Sequence, residues 1–155
     1  MSQPAPARSA KQRKQDTLDR FERDVDAWVA TAGADGGEPH MMPLSFLWHE
    51  GALYVSTRAT NPLARNLVAT GKVQLGIGPT RDVVHVVGTS EVLRDDEIST
   101  EFGDAFARRT GFDPRAADGP YRYFRITPVR IQAWREANEL AGRDLMRDGH
   151  WLVAD

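Results

Sequence analysis

The sequence predicts a mainly β (α+β) fold, a small antiparallel barrel of six or seven strands with short flanking helices. Three observations predict it. Runs with the two-residue apolar alternation of half-buried strands recur along the chain. The breaks between several of them carry turn chemistry, as at Asp35-Gly36-Gly37, Gly51 and Gly78-Pro79. No regular strand–helix alternation occurs of the kind that builds a doubly wound parallel sheet.

Residues 1–15 hold Pro4, Pro6, Arg8, Lys11, Arg13 and Lys14 with almost nothing apolar, and read as a flexible arm. Such an arm either solubilises the terminus or touches a polyanion, the first being the commoner use. Residues 16–155 read as a single domain. Leu18, Phe21 and Val25 at helical spacing predict a short amphipathic helix capped by Asp16 or Thr17. A strand over residues 28–31, a turn over 33–37 and a strand over 39–49 form a hairpin. After Gly51, Leu53, Val55 and Thr57 alternate with Tyr54 and Ser56 as the central strand.

Asn61 then caps a helix with Pro62 at its first position and Gly71 at its C-cap. Val73, Leu75 and Ile77 predict the next strand. Residues 83–93, VVHVVGTSEVL, are the longest strand signal, with Gly88 as a bulge or close-approach point. Asp95 or Asp96 caps a helix running to about Arg109, with Ile98, Phe102 and Phe106 on one face. A loop over 111–120, a long strand Tyr121–Trp134 and a short hairpin or coil over 142–153 complete the chain.

With 155 residues and 41% hydrophobic content, one sizeable core is expected. A formal net charge of −2 gives no global basic field for nucleic acid or anionic lipid. The absence of cysteine excludes disulfides, thiolate metal sites and cysteine catalysis. No apolar leader or bilayer-length run is visible, so the expectation is a soluble cytoplasmic protein without membrane or nucleic-acid partners.

His40, His49, His85 and His150 lack metal-ligand spacing. Ser45 and Ser56 lack the nucleophile elbow of serine hydrolases. Asp95-Asp96-Glu97 sits where a helix start wants negative charge. No glycine-rich nucleotide cradle occurs. The junction Thr57, Arg58, Thr60, Asn61 and Pro62 collects hydroxyls, backbone N–H groups and guanidinium, which suits a phosphate; an ordinary strand–helix connection reads equally well. Trp134, beside Arg130 and Arg135, stands where an indole can cover a planar ligand. Core or interface packing is the commoner role for it and for Trp28, Trp48 and Trp151.

The order of pieces carries more. Residues 27–93 include AGADGGEPHMMPLSFLWHEGALYVSTR, then ARNL, then VVGTSEVL; downstream come ITPVRIQAW and GRDLMRDGHWLV. In this order they resemble the FMN-binding split-barrel family that contains pyridoxamine 5′-phosphate oxidase, particularly its short bacterial members. The resemblance implies a split barrel and a homodimer with two cofactor sites at the subunit interface. By that resemblance Leu44, Ser45 and Phe46 run along the flavin ring through backbone groups. Thr57 binds near the phosphate, with Arg58, Asn61, Arg65 and Asn66 around it, while His85 and Trp134 approach from the partner subunit.

Two positions depart from the family pattern. Leu63 stands where a lysine is usual, two residues before the arginine of the RN pair, and His85 stands where the oxidase has an arginine. Oxidation of pyridoxamine phosphate itself is therefore not expected. If the missing lysine is the defect, Leu63→Lys raises flavin affinity. The implied function is hydride transfer between a bound flavin and a small organic substrate. FMN is the first choice of cofactor, and the deazaflavin coenzyme F-420 of many actinobacterial relatives is the alternative. A non-catalytic barrel that binds or stores a flavin or another planar ligand is the second reading.

Overall fold

The computed structural model describes residues 2–154. Among these, nine strands and three α-helices follow the order α1 (Ala10–Arg23), β1 (Asp26–Thr31), β2 (His40–Ser45), β3 (Leu47–His49), β4 (Ala52–Arg58), α2 (Pro62–Thr70), β5 (Lys72–Ile77), β6 (Val83–Val92), α3 (Thr100–Thr110), β7 (Tyr121–Trp134), β8 (Asp144–Arg147) and β9 (His150–Trp151). Seven strands make one antiparallel path, β2-β1-β5-β6-β7-β4-β3, and β8 with β9 appends a hairpin to β7. The two ends of this path are joined through Phe46 alone. The curled sheet is thus closed by the chain itself while β2 and β3 remain unpaired with one another, which is the architecture of a split barrel.

Alternation fills the interior. Val73, Leu75 and Ile77 of β5 point inward, as do Ala27 and Val29 of β1 and Val84 and Val86 of β6. Phe21, Phe46 and Phe124 are fully buried in the same core, and each such ring is worth about 1.5–3 kcal/mol. Strand β4 is buried on both faces. Leu53 and Val55 belong to the barrel core, whereas Ala52 and Tyr54 pack with Leu93, Phe106 and Tyr123 in a second cluster beneath α3.

Local chemistry explains the boundaries. Pro62 starts α2 and Gly71 ends it. The β6–β7 register shifts between Val87 and Gly88. A Cβ on Gly88 would lie 2.8 Å from Ile126 Cγ2 and 3.0 Å from the Thr127 carbonyl oxygen, so the shift needs a residue without one.

Three boundaries differ from the sequence expectation. Helix α1 starts at Ala10, with the Ser9 hydroxyl accepting from Gln12 N–H at 3.1 Å, so residues 10–15 are helix and not arm. These residues are strong helix formers, and their charged ends find carbonyls. Arg13 donates to Ala133 O and Glu139 O, and Lys14 Nζ to Val153 O, so long basic stems do the packing that apolar side chains do elsewhere. The single strand expected over 39–49 is split, because Phe46 turns into the core and its N–H donates to Val25 O at 2.8 Å. The acidic run Asp95–Glu97 forms one 3₁₀ turn, and Ser99 caps α3 by accepting from Phe102 N–H.

Candidate functional site

The seam of the split barrel opens into a cavity of about 630 Å³, within the range of small-molecule sites. Met42, Pro43, Leu44 and Ser45 of β2 form one bank, and Ser56, Thr57 and Arg58 of β4 form the other. Strand β3 covers β4 only as far as Tyr54, and β2 pairs only with β1. The seam-facing backbone edges of β2 and of residues 55–58 therefore carry no ladder partner, and can bond a planar heterocycle laid between them.

At one end, Thr57 is 4% exposed and its hydroxyl accepts from Asn61 Nδ2 at 2.9 Å. Asn61 has the extended backbone of an N-cap, but its amide serves Thr57 and makes no capping bond. Pro62 has no N–H, so the α2 donors left without a side-chain cap are the backbone N–H groups of Leu63 and Ala64. At the other end, Arg58 lies 5.1 Å over the Tyr121 ring, and Phe112 and Tyr121 stand 5.2 Å apart at 51°. Phe106 and Thr110 of α3 complete that wall, while Asp26 accepts from the Ser45 hydroxyl at 2.8 Å.

Leu44, Ser45, Thr57, Arg58 and Asn61 all line one cavity, but Arg58, expected around the phosphate with Thr57, stands at the opposite end of it over Tyr121. Phe46 is not at the surface of it; its ring is wholly within the core. Asn66 Nδ2 donates to Thr31 Oγ1 at 3.1 Å and ties α2 to β1, and Arg65 is exposed on α2 outside the cavity lining.

His85 and Trp134 lie on the outer face of β6 and β7. His85 Nε2 meets Gln74 Oε1 at 2.9 Å, and Arg143 sits 6.0 Å over the Trp134 ring. Burial holds the His85 pKa below the ordinary histidine value; the Gln132 amide opposes this and the Arg130 charge adds to it.

Leu63 corrects the reading of the lysine gap. It is fully buried in the barrel core, so that side chain has no path to a phosphate. A lysine there would bury its charge rather than offer it. Sequence reasoning also missed Asp26, Met42, Pro43, Phe106, Thr110, Phe112 and Tyr121 as cavity-forming residues. The one signal was Phe112, an aromatic in a polar, breaker-rich loop.

Fold and site together define a split barrel with a ligand-sized cavity along its seam. A family model described as pyridoxamine 5′-phosphate oxidase matches residues 15–135, and the chain belongs to that family. No curated protein matches the sequence significantly.

Solved structures share the fold at low identity. An F-420 reductase is 19% identical, with a TM-score of 0.60 over 73% of this chain and 93% of its own. An FAD-binding protein from Mesorhizobium loti is 19% identical, with a TM-score of 0.62 over 76% and 90%. The heme storage protein HutZ from Vibrio cholerae is 14% identical, with a TM-score of 0.63 over 88% and 98%.

Proposed function

We propose that this protein is a flavin-dependent oxidoreductase acting on a small organic substrate, with FMN or the deazaflavin coenzyme F-420 as cofactor. The observation that carries the reading is the seam cavity. It joins two bare backbone edges to a hydroxyl–amide pair at the open start of a helix. Leu44 and Ser45 would line the ring through the β2 edge, and Thr57, Asn61 and the first N–H groups of α2 would hold the phosphate. Among the described residues Asp26 is the one carboxylate that lines the cavity, and it is engaged by Ser45. When bound, the flavin supplies the hydride chemistry, and the chain supplies position and exclusion of water. This accounts for a cavity whose described lining holds no histidine, lysine or cysteine.

A homodimer fits the outer face. Pro43, Trp28, Gly76, His85 and Gln132 lie in register across β2, β1, β5, β6 and β7 on that face. Trp28 is 53% exposed and Met41 62%, large apolar surfaces for a second copy to cover. Pro43 also lines the seam cavity, so a copy docked there would bring its own residues to the cofactor. We place the protein in the cytoplasm, where a cysteine-free chain needs no oxidising compartment. Trp28→Glu tests the dimer: sedimentation should shift to monomer.

A fold shared with the heme storage protein HutZ over 88% of this chain supports a second reading: a barrel that binds or stores a planar ligand without turnover. Absorbance titration of the purified protein with FMN, F-420 and heme, checked by equilibrium dialysis, separates the two. Micromolar binding of one flavin with reduction of small conjugated acceptors supports the oxidoreductase. Heme binding without flavin binding replaces it with storage.

A further inference from the structure

Consecutive strand residues face opposite ways, so Thr57 and Arg58 divide the cavity between them. Thr57 turns to Asn61 and α2, whereas Arg58 turns toward α3 and rests over Tyr121. The Arg58 side chain is exposed, and among the described residues no carboxylate lies within ion-pair distance of it. The neighbouring loop carries two carboxylates: Asp113 holds Arg115 at 2.8 Å, and Arg115 also binds Asp104, while the exposed Asp118 makes no ion pair with Arg58. The loop makes room for the Arg58 guanidinium. Gly119 has φ +92°, and a Cβ there would lie 2.6 Å from Arg58 Nη1. Phe112, 42% exposed, extends the Tyr121 ring into a broader aromatic wall.

An un-neutralised guanidinium fork set against an aromatic wall has the chemistry to take a flat ring carrying a carboxylate or phosphate. We propose that the corner formed by Arg58, Tyr121 and Phe112 recognises the anionic group of a planar aromatic substrate. It is separate from the Thr57–Asn61 end that a cofactor phosphate would occupy. That the bound molecule is a substrate rests on the flavin reading; that the corner binds a planar anion does not.

The test uses benzoate and its neutral counterpart benzamide, titrated into the full chain by calorimetry and ligand-observed NMR, with and without FMN. Wild type should bind benzoate about tenfold more tightly than benzamide, the scale of one charge-assisted bond. Arg58→Gln should abolish that preference while leaving FMN affinity within about twofold. Gly119→Ala, which displaces the guanidinium but keeps its charge, should weaken benzoate by a smaller factor. Circular dichroism and urea midpoints identify any variant that fails to fold.

Equal affinity for the two probes in wild type, or an unchanged preference in folded Arg58→Gln, overturns the proposal. So does a roughly tenfold loss of FMN affinity in Arg58→Gln, which would assign Arg58 to the cofactor phosphate. A benzoate preference that depends on Arg58 in a protein that binds no flavin supports the corner and removes the flavin reading alone.

Discussion

Arg8 and Arg58 show two uses of one side chain. Arg8 grips Glu139 through Nε at 3.0 Å and Nη2 at 2.7 Å, and its backbone N–H adds a third bond at 2.8 Å. Its side chain is 9% exposed and that of Glu139 is 3%. The carboxylate receives a fourth donor from Arg135 N–H, and Asp16 takes another Arg8 nitrogen at 3.1 Å. Arg58 has none of this; an aromatic ring supports it and solvent faces it. A guanidinium whose donors are spent inside the protein holds chain segments together. One whose donors are open beside a cavity is available to a ligand. Sequence context alone does not tell the two apart.

The largest effect should come from creating a cation with no acceptor. Leu63→Lys places an ammonium in the barrel core and should cost about 4 kcal/mol in urea unfolding, without raising flavin affinity. A tolerated variant with tighter flavin binding would mean that the side chain escapes to the phosphate after all. Removing the acceptor from a satisfied pair comes next. Glu139→Gln leaves Arg8 and Arg13 facing a neutral group and should lose about 3 kcal/mol, measured the same way. A loss below about 1 kcal/mol would reduce the Arg8 tie to surface strength.

The same pair sets a pH dependence. Hydrogen bonds from Arg8 hold the Glu139 pKa at about 2, below the ordinary value of 4.5, with burial opposing and the charges of Arg8 and Arg13 assisting. A depressed carboxylate stabilises the fold above its unfolded pKa and loses that contribution as pH falls through its folded one. Wild type should therefore lose stability between about pH 4.5 and 2, and Glu139→Gln should lose less across that window. Acid titrations of the urea midpoint decide this. The smallest effect belongs to Arg58: Arg58→Gln should change stability by no more than about 0.5 kcal/mol, because no intramolecular ion pair is lost. A larger loss would make it a structural arginine like Arg8.

Where local chemistry decides, the sequence was legible. The start of β7 follows from its alternation and from the Gly119-Pro120 breaker before it. Pro62 and Gly71 mark α2, and Gly88 marks the bulge. Five of the ten residues implied by the family resemblance line the cavity: Leu44, Ser45, Thr57, Arg58 and Asn61. The illegible parts depend on contacts far away in sequence. Residues 10–15 looked too polar to pack, because the carbonyls that receive Arg13 and Lys14 lie more than 100 residues later. The aromatic wall needed α3 to fold over β4 and β7, and no periodicity within 100–121 announces that.

By itself the sequence determined most of the strands, their turns and the family, because alternation, capping and turn residues act over a few positions. It also brought an anion-suited cluster to the end of β4. Tertiary structure decided which way each member of that cluster faces. Closure of the barrel through Phe46 opened the seam, turned Leu63 into the core and set Thr57 and Arg58 toward opposite ends of one cavity. Those outcomes depend on which strand edges remain unpaired and which volume is already filled, and both exist only once the sheet has curled.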